Sequence, residues 1–104
     1  MKLTGRALVG TIVEAAALDG ARRPAYRLRV DFGPAIGMRW SSAQLTDLYP
    51  AADLVGRQVV AMVDLEPKRI AGFVSEVLIL GVPSPDGVVL LAVERSVEDG
   101  SEVF

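Results

Sequence analysis

The clearest pattern in the chain is an alternation of apolar and polar side chains over residues 25–32. Tyr26, Leu28, Val30 and Phe32 fall on one face, and two arginines and an aspartate fall on the other. A period of two is typical of a β-strand that is buried on one side only. The pattern therefore predicts a strand with an apolar inner face and a polar outer face.

Shorter apolar runs, rich in β-branched residues and bounded by glycine or proline, predict the remaining strands. They cover residues 9–16, 36–42, 57–65, 75–80 and 88–93. The stretch from Ser42 to Tyr49, before Pro50, predicts one or two turns of helix. The segment 81–87 is dense in turn residues and predicts a hairpin loop.

Five or six short strands with one small helix between the third and the fourth indicate a small closed β-barrel. This all-β layout, a five-stranded barrel with a short helix between strands 3 and 4, is that of the oligonucleotide/oligosaccharide-binding (OB) fold. An SH3-like barrel or a small sandwich fits the pattern nearly as well. The length of 104 residues predicts a single domain over residues 1–104.

Composition argues against catalysis. The chain contains no cysteine and no histidine, which removes disulfides, thiolate metal sites and the commonest general base. The thirteen acidic residues are scattered, and no glycine-rich phosphate-binding motif is present. We therefore expect a protein without enzymatic activity, catalytic residues, metal or cofactor. With no signal peptide and no apolar run long enough for a membrane span, a cytoplasmic location is expected.

The net charge of −2 hides a basic region. Residues 22–39 contain five arginines against one acid, Asp31, whereas four acids lie in the last eleven residues. Local charge decides which ligands a surface attracts. The arginines Arg27 and Arg29 on the outer face of the strand 25–32 are interpreted first as an ordinary polar face, and second as a binding surface.

A second basic feature lies between two predicted strands. Lys68 and Arg69 are the only adjacent lysine and arginine in the chain, preceded by Pro67 and followed by Gly72. Binding residues collect on connectors that a rigid scaffold holds. We interpret this basic connector as a binding site, and the alternative is a solvated loop whose charges keep the surface soluble.

Two interpretations of Trp40 compete. By alternation with Ile36 and Met38 it faces the core, which is the favoured interpretation because large aromatic side chains usually contribute to cores. The alternative is an exposed platform on which a base stacks.

Several segments together resemble the small bacterial CsaA proteins. They are Asp31-Phe32-Gly33, Ile36-Gly37, Ser41–Leu45, Gly56–Ala61, Lys68–Leu78 and Gly87–Leu91. The resemblance implies an OB fold, a homodimer and membership of the tRNA-binding-domain superfamily, which includes the C-terminal appendage of methionyl-tRNA synthetases. CsaA proteins are also described as export-related chaperones of unfolded preproteins. The implied partners are thus tRNA or structured RNA, or else unfolded preproteins and the secretion machinery.

The resemblance also implies a binding surface. It maps onto Ser41, Ser42, Gln44, Lys68, Arg69, Ser75 and Glu76, to which the charge pattern adds Arg39, Asp64 and Glu66. Hydroxyl and amide groups suit contacts to phosphate, and cations supply the attraction. The same groups could hydrogen-bond an extended peptide.

Two departures from the family pattern bear on affinity. The family has Asn-Phe-Pro-Pro where this chain has Asp64-Leu65-Glu66-Pro67, and it often has an arginine where this chain has Leu8. The two carboxylates are expected to oppose Lys68 and Arg69 and so to weaken binding of phosphate.

Three hypotheses follow for function. The first is RNA binding at the basic connector. The second is chaperone-like binding of unfolded protein in an apolar groove between two barrels, lined by Leu65, Phe73 and Val74. The third, an enzyme with a metal held by Asp64 and Glu66, is disfavoured because acids beside cations more often form surface ion pairs.

The C-terminus ends in an apolar pair, Val103-Phe104, after an acidic segment. Because 51% of the residues are apolar, one small barrel is expected to leave apolar surface exposed, and a two-fold interface would cover it. We expect the tail to pack at that interface. The alternative is a frayed terminus.

Overall fold

The computed structural model describes residues 5–104. It contains short strands and two single-turn helices. In chain order they are β1 (Ala7–Ala17), β2 (Tyr26–Asp31), α1 (Gly33–Ile36), β3 (Met38–Ala43), α2 (Ala51–Leu54), β4 (Gln58–Met62), β5 (Lys68–Ile70), β6 (Phe73–Ser75), β7 (Leu78–Ile79), β8 (Gly81–Ser84), β9 (Gly87–Leu90) and β10 (Glu102–Val103). Within residues 5–104 neither helix is long enough to cross a membrane.

The barrel is an antiparallel sheet in the order β3-β2-β1-β4-β7. It is nearly closed, because β7 returns to lie beside β3. The helix α2 lies in the connection between β3 and β4. The predicted five-stranded OB fold, with a short helix between its third and fourth strands, is therefore confirmed.

The long strand β1 serves both halves of the barrel. Its first half pairs with β4 from Ala7 to Thr11, and its second half pairs with β2 as far as Ala17. The register shifts between Ile12 and Glu14, where an extra residue bends the strand. Gly10, a glycine inside the first predicted strand, lies before this shift.

Gly10 has a different role, which is close packing. A Cβ atom at this position would lie 2.7 Å from the Phe32 ring and 2.7 Å from a Val30 methyl group. Only glycine lets β1 pass over these two core side chains.

The core confirms the alternation in β2. Leu28, Val30 and Phe32 are buried at 1% exposure or less, while Arg27 is exposed. Burying a side chain of this size stabilises the fold by about 1.5–3 kcal/mol. Leu8, where the family often has an arginine, also lies in this core at 3% exposure.

The helix predicted over Ser42–Tyr49 is misplaced. Strand β3 continues to Ala43, which pairs with Tyr26, and the helix begins only after Pro50. Proline has no backbone N–H to donate and has a fixed φ, so it favours the start of a helix rather than marking its end.

Several strand bounds also differ from the prediction. The run 36–42 loses Ile36 to α1 and begins as a strand only at Met38, and the run 57–65 forms a strand only over Gln58–Met62. The run 75–80 is broken before β7, and 88–93 ends as a strand at Leu90. The predicted loop 81–87 is itself mostly a hairpin, because β8 pairs with β9 around a two-residue turn.

The C-terminal segment is docked on its own barrel. Strand β10 pairs with Ala7 and Leu8 of β1, and the Thr11 hydroxyl donates to Asp99 Oδ1 at 2.7 Å. The tail is therefore not frayed up to Val103, while Phe104 is fully exposed. A role for the tail in a dimer interface stays a prediction.

Candidate functional site

The basic connector is a β-hairpin, made of β5 and β6. Its two-residue turn is Ala71-Gly72, with φ of 51° and 80°. Positive φ at both positions is typical of the type I′ turn, which matches the twist of two antiparallel strands. Among residues 5–104, Ala71 is the one residue other than glycine with positive φ. Lys68 and Arg69 therefore lie on a defined strand rather than on a loose loop.

Hydrogen bonds fix this hairpin to the edge of β3. The backbone N–H of Ser42 donates to Ser75 Oγ at 3.0 Å. The N–H of Trp40 donates to Glu76 Oε1 at 3.0 Å, and the N–H of Glu76 donates to the Trp40 carbonyl at 2.8 Å. The side chains of Ser75 and Glu76 thus replace the missing ladder bonds of an edge strand.

Ser41 completes this attachment from inside the barrel. Its side chain is fully buried, and its hydroxyl donates to the Val77 carbonyl at 3.1 Å. Three predicted site residues, Ser41, Ser75 and Glu76, are therefore engaged in bonds within the chain. Their geometry positions the hairpin.

One side of the hairpin borders an apolar groove of about 550 Å³. Its apolar walls are Leu45, Leu65, Ile70, Val77, Leu78, Ile79 and Val88. Ser42, Gln44, Glu66 and Lys68 contribute polar groups to its lining. Leu65 lines this groove, whereas Phe73 and Val74 do not. All three residues were expected to line a groove between two barrels, and that expectation stays a prediction.

The other side borders a second cavity of about 650 Å³, here called the basic cavity. The β1–β2 loop contributes Arg22 and Arg23, and the hairpin contributes Lys68 and Arg69. Among the described residues that line this cavity, none is acidic. Two pairs of cations that are distant from each other in the sequence therefore lie on one concave surface, which attracts anions.

Arg22 and Arg23 are site residues that sequence reasoning missed. The available signal was the excess of arginine over residues 22–39, but it does not show which way the loop turns. Ser42 and Gln44, which were predicted, lie between the two cavities and line both.

Asp64 does not oppose the basic connector. Its carboxylate accepts two hydrogen bonds from the Arg6 guanidinium, at 2.8 Å and 2.9 Å, and a third from the Arg6 backbone N–H at 3.0 Å. The side-chain hydrogen bond lowers the pKa of Asp64. Of the two carboxylates expected to weaken phosphate binding, only Glu66 lines a cavity beside Lys68.

The metal hypothesis has no support in this geometry. The Asp64 carboxylate is engaged in an ion pair with Arg6, as is common for an acid at the surface. Over the described residues 5–104, no three side chains that could ligate a metal lie together.

Trp40 lies on the outer face of the barrel, so the favoured prediction of a core position is wrong. In the β2–β3 register Trp40 is opposite Arg29, while the buried Ser41 is opposite the buried Leu28. The alternation with Ile36 fails because Ile36 belongs to α1 and the strand begins only at Met38. Pairing with β2 therefore sets which residues of β3 point inward.

Arg39 is not among the residues that line either cavity. It is opposite Val30 in the register, and its Nε lies 4.0 Å from Glu76 Oε2. Its Nη1 donates to the Met38 carbonyl at 3.0 Å. The structure thus places Arg39 beside the hairpin attachment rather than in the basic cavity.

Fold and site together define an OB-fold domain with a basic cavity and an apolar groove on either side of one hairpin. The family model described as "Putative tRNA binding domain" matches residues 8–102. The chain belongs to this tRNA-binding-domain family, and within it is of the CsaA type.

Solved structures support this assignment. The chain is similar to the CsaA chaperone of Bacillus anthracis, with 46% identity, a TM-score of 0.88 and coverage of 95% of this chain and 90% of that one. It is also similar to the CsaA chaperone of Picrophilus torridus, with 40% identity, a TM-score of 0.91 and coverage of 95% and 91%.

Curated relatives include methionine–tRNA ligases. The chain is 32% identical to that of Methanocaldococcus jannaschii over 91% of its own length, and 34% identical to that of Parabacteroides distasonis over 99%. It spans only 14% and 15% of the length of these two enzymes. The similarity therefore concerns one small part of each ligase.

Proposed function

We propose that this chain binds tRNA or another structured RNA and carries out no reaction of its own. The convergence of Arg22, Arg23, Lys68 and Arg69 on the basic cavity carries the proposal. RNA presents a dense row of phosphates, and cations on a concave surface gain affinity by releasing its counterions. Membership of the tRNA-binding-domain family supports the same ligand.

Ser42 and Gln44 complete the proposed site. They lie where the basic cavity meets the apolar groove, so they are placed to hydrogen-bond phosphate, sugar or a base edge. Bases of single-stranded loops can be splayed out of a stack and bound separately. The apolar groove beside the cations offers such a base a low-polarity surface.

A second candidate function is binding of unfolded polypeptide, as in an export-related chaperone acting on preproteins or with the secretion machinery. The observation that favours it is the apolar groove, in which Leu65 and Leu78 remain 43% and 52% exposed. Unpaired apolar surface of this kind suits an extended apolar segment. The similar structures from two organisms are of proteins called chaperones.

A homodimer belongs to the same proposal, as does a single cytoplasmic domain over residues 1–104. Val82 and Val89 are opposite each other on the β8–β9 hairpin and are 52% and 44% exposed, and Phe104 is fully exposed. A two-fold interface would cover such side chains. Light scattering should give twice the chain mass of 11.1 kDa. A monomeric parent contradicts the dimer.

The interface can be located with two matched variants. Val82→Asp should shift the dimer toward monomer, because a carboxylate would be buried without a partner. Val55→Asp is the control, since Val55 is equally exposed at 51% and lies outside the β8–β9 hairpin. Equal effects of the two variants would place the interface elsewhere.

One experiment separates the two ligand classes. The parent is titrated with unfractionated tRNA at two salt concentrations, and in parallel it is tested for suppressing aggregation of a denatured protein. RNA binding predicts a slope of log affinity against log salt of roughly −2 to −4, as expected for a few phosphate contacts. A flat slope, or no binding, rules out phosphate recognition by the basic cavity.

A further inference from the structure

A cluster on the outer face of the barrel lies outside both cavities. The ring of Trp40 has the Arg27 guanidinium carbon 5.8 Å from its centroid and that of Arg29 at 5.9 Å. The Phe73 ring meets it edge-on, at 5.9 Å between centroids and an interplanar angle of 88°. We call these four residues the arginine–tryptophan platform.

The arginines of the platform are held in place but accessible. Arg27 is exposed, and the Arg29 side chain keeps 41% of its surface. A guanidinium that lies against an aromatic ring keeps its N–H groups directed outward at its edge, and it loses less freedom when it binds an anion. Glu14 Oε1 is 3.8 Å from Arg29 Nη1, which is beyond hydrogen-bond distance, so it competes only weakly.

The platform is continuous with the basic cavity. Arg27 is directly opposite Ser42 in the β2–β3 register, and Ser42 lines the basic cavity beside Lys68 and Arg69. Arg27 and Arg29 lie two residues apart on the same face of β2, so their Cα atoms are separated by about 6.6 Å along the strand. Two accessible cations on one face of β2 therefore extend the positive surface beyond the basic cavity.

The hairpin links the two surfaces mechanically. Phe73 belongs to β6, which is paired with the strand that carries Lys68 and Arg69. The same hairpin is bonded to Trp40 through Glu76. The position of Trp40 and that of the basic cavity are therefore linked through one hydrogen-bonded hairpin.

We propose that the arginine–tryptophan platform is a second phosphate-binding locus for the same RNA. The RNA strand leaves the basic cavity, passes Ser42 and places its next phosphates on Arg27 and Arg29. Trp40 is a positioning residue, because both guanidinium groups lie beside its ring, at 5.8 Å and 5.9 Å from the centroid. This inference rests on the proposed RNA binding and extends the contact surface beyond it.

The first test removes the platform cations. Arg27→Gln and Arg29→Gln, singly and together, are compared with Arg95→Gln for binding of unfractionated tRNA. Arg95 is an exposed arginine on the C-terminal segment, so its variant removes the same charge elsewhere. Each single platform variant should lose roughly fivefold in affinity at about 0.15 M salt and flatten the salt slope by about one, and the double variant should lose about 20-fold and flatten the slope by about two.

The outcomes separate the two proposals. If the parent does not bind tRNA, the proposed function fails. If the parent binds and the platform variants match Arg95→Gln in affinity and slope, the platform is not a phosphate locus, while the basic cavity stands. If the same concentration of poly-glutamate displaces tRNA from the parent but not from the double variant, the platform binds acidic polypeptide and the proposal is overturned.

The second test uses Trp40 as a reporter, since it is the only tryptophan in the chain. Its fluorescence should change at saturating tRNA, because phosphates arriving at Arg27 and Arg29 alter the charge beside its ring. The Arg27→Gln/Arg29→Gln variant should lose the change while still binding tRNA more weakly through the basic cavity. An unchanged Trp40 signal in the saturated parent contradicts the proposal.

A third variant tests the positioning role. Trp40→Leu keeps every cation but removes the ring, so it should lower tRNA affinity by about twofold to fourfold and leave the salt slope near the parent value. Trp40→Phe should restore part of the loss. A Trp40→Leu variant with parent affinity and parent slope would show that the ring does not position the arginines.

Discussion

The two sides of the β5–β6 hairpin differ sharply in charge, although they share part of their lining. Ser42, Gln44, Lys68 and Ile70 line both the basic cavity and the apolar groove. The remaining lining of the basic cavity includes three arginines, whereas that of the groove is mostly aliphatic with two glutamates. A single hairpin thus separates a surface suited to phosphate from one suited to apolar groups.

This difference bears on how one small domain could serve two ligand classes. RNA binding depends on cations and falls with salt, whereas apolar burial is nearly independent of salt at moderate concentrations. Because the two surfaces meet along Lys68, ligands at both would compete for the shared residues. Substitutions on either side of the hairpin can therefore assign each activity to its surface.

The largest effect is expected from removing the shared basic connector. Lys68→Ala with Arg69→Ala should weaken tRNA binding about 20-fold at about 0.15 M salt, or roughly fivefold per phosphate contact. Both side chains are exposed, so the fold should persist. Filter binding at two salt concentrations measures the loss. Lys68→Ala and Arg69→Ala are also made singly, and Arg95→Ala is their control because it removes one charge elsewhere. An equal loss of tRNA affinity in Arg95→Ala would show a general charge effect.

Substitutions in the apolar groove should affect the aggregation assay rather than tRNA binding. Leu65→Ser with Leu78→Ser should raise about fivefold the amount of protein needed to suppress aggregation of a denatured protein, because exposed apolar area is lost. Affinity for tRNA should change less than twofold. Leu48→Ser is a matched control, since Leu48 is 39% exposed and lines neither cavity. Loss of RNA binding in the double variant would merge the two surfaces into one site.

Most of the fold could be predicted from the sequence, because it depends on local patterns. The alternation in β2 and the breakers around the short runs determine a small barrel. The position of Lys68 and Arg69 between two strands also followed from local sequence. Their hairpin did not, because the turn Ala71-Gly72 lacks the usual asparagine or aspartate before glycine.

The rest of the site depends on contacts between distant segments. Arg22 and Arg23 reach the hairpin across more than forty residues of chain, and no local pattern indicates this approach. The face of Trp40 depends on its pairing with Arg29 rather than on the run that precedes it. Asp64 was expected to oppose the connector because it lies close to Lys68 in the sequence. Its actual partner, Arg6, lies far away in the sequence, so no local pattern indicates the ion pair.

A moderate gain should come from removing the carboxylate that borders the groove. Glu66→Gln should strengthen tRNA binding about twofold to threefold, because one like charge near the incoming phosphates is lost. Asp64→Asn should change it less, since Arg6 already neutralises Asp64. Titration of both variants at low salt, where charge effects are largest, distinguishes them. A greater gain from Asp64→Asn would show that Asp64 faces the RNA.

The smallest effect concerns stability and follows from the ion pair of Asp64 with Arg6. The side-chain hydrogen bond from Arg6 lowers the pKa of Asp64 in the folded protein. The unfolded chain then binds a proton more readily, so the pair contributes stability above the unfolded pKa of about 4 and loses it as pH falls through the lower folded pKa. Because both groups are exposed, the contribution is small.

Thermal unfolding at pH 7 should place the midpoint of Asp64→Asn about 2 °C below the parent. At a pH below the folded pKa the two midpoints should converge, because the parent carboxyl is then also neutral. A gap that persists or widens in acid would mean that the asparagine disturbs packing, and that Arg6 does not stabilise the ionised carboxylate.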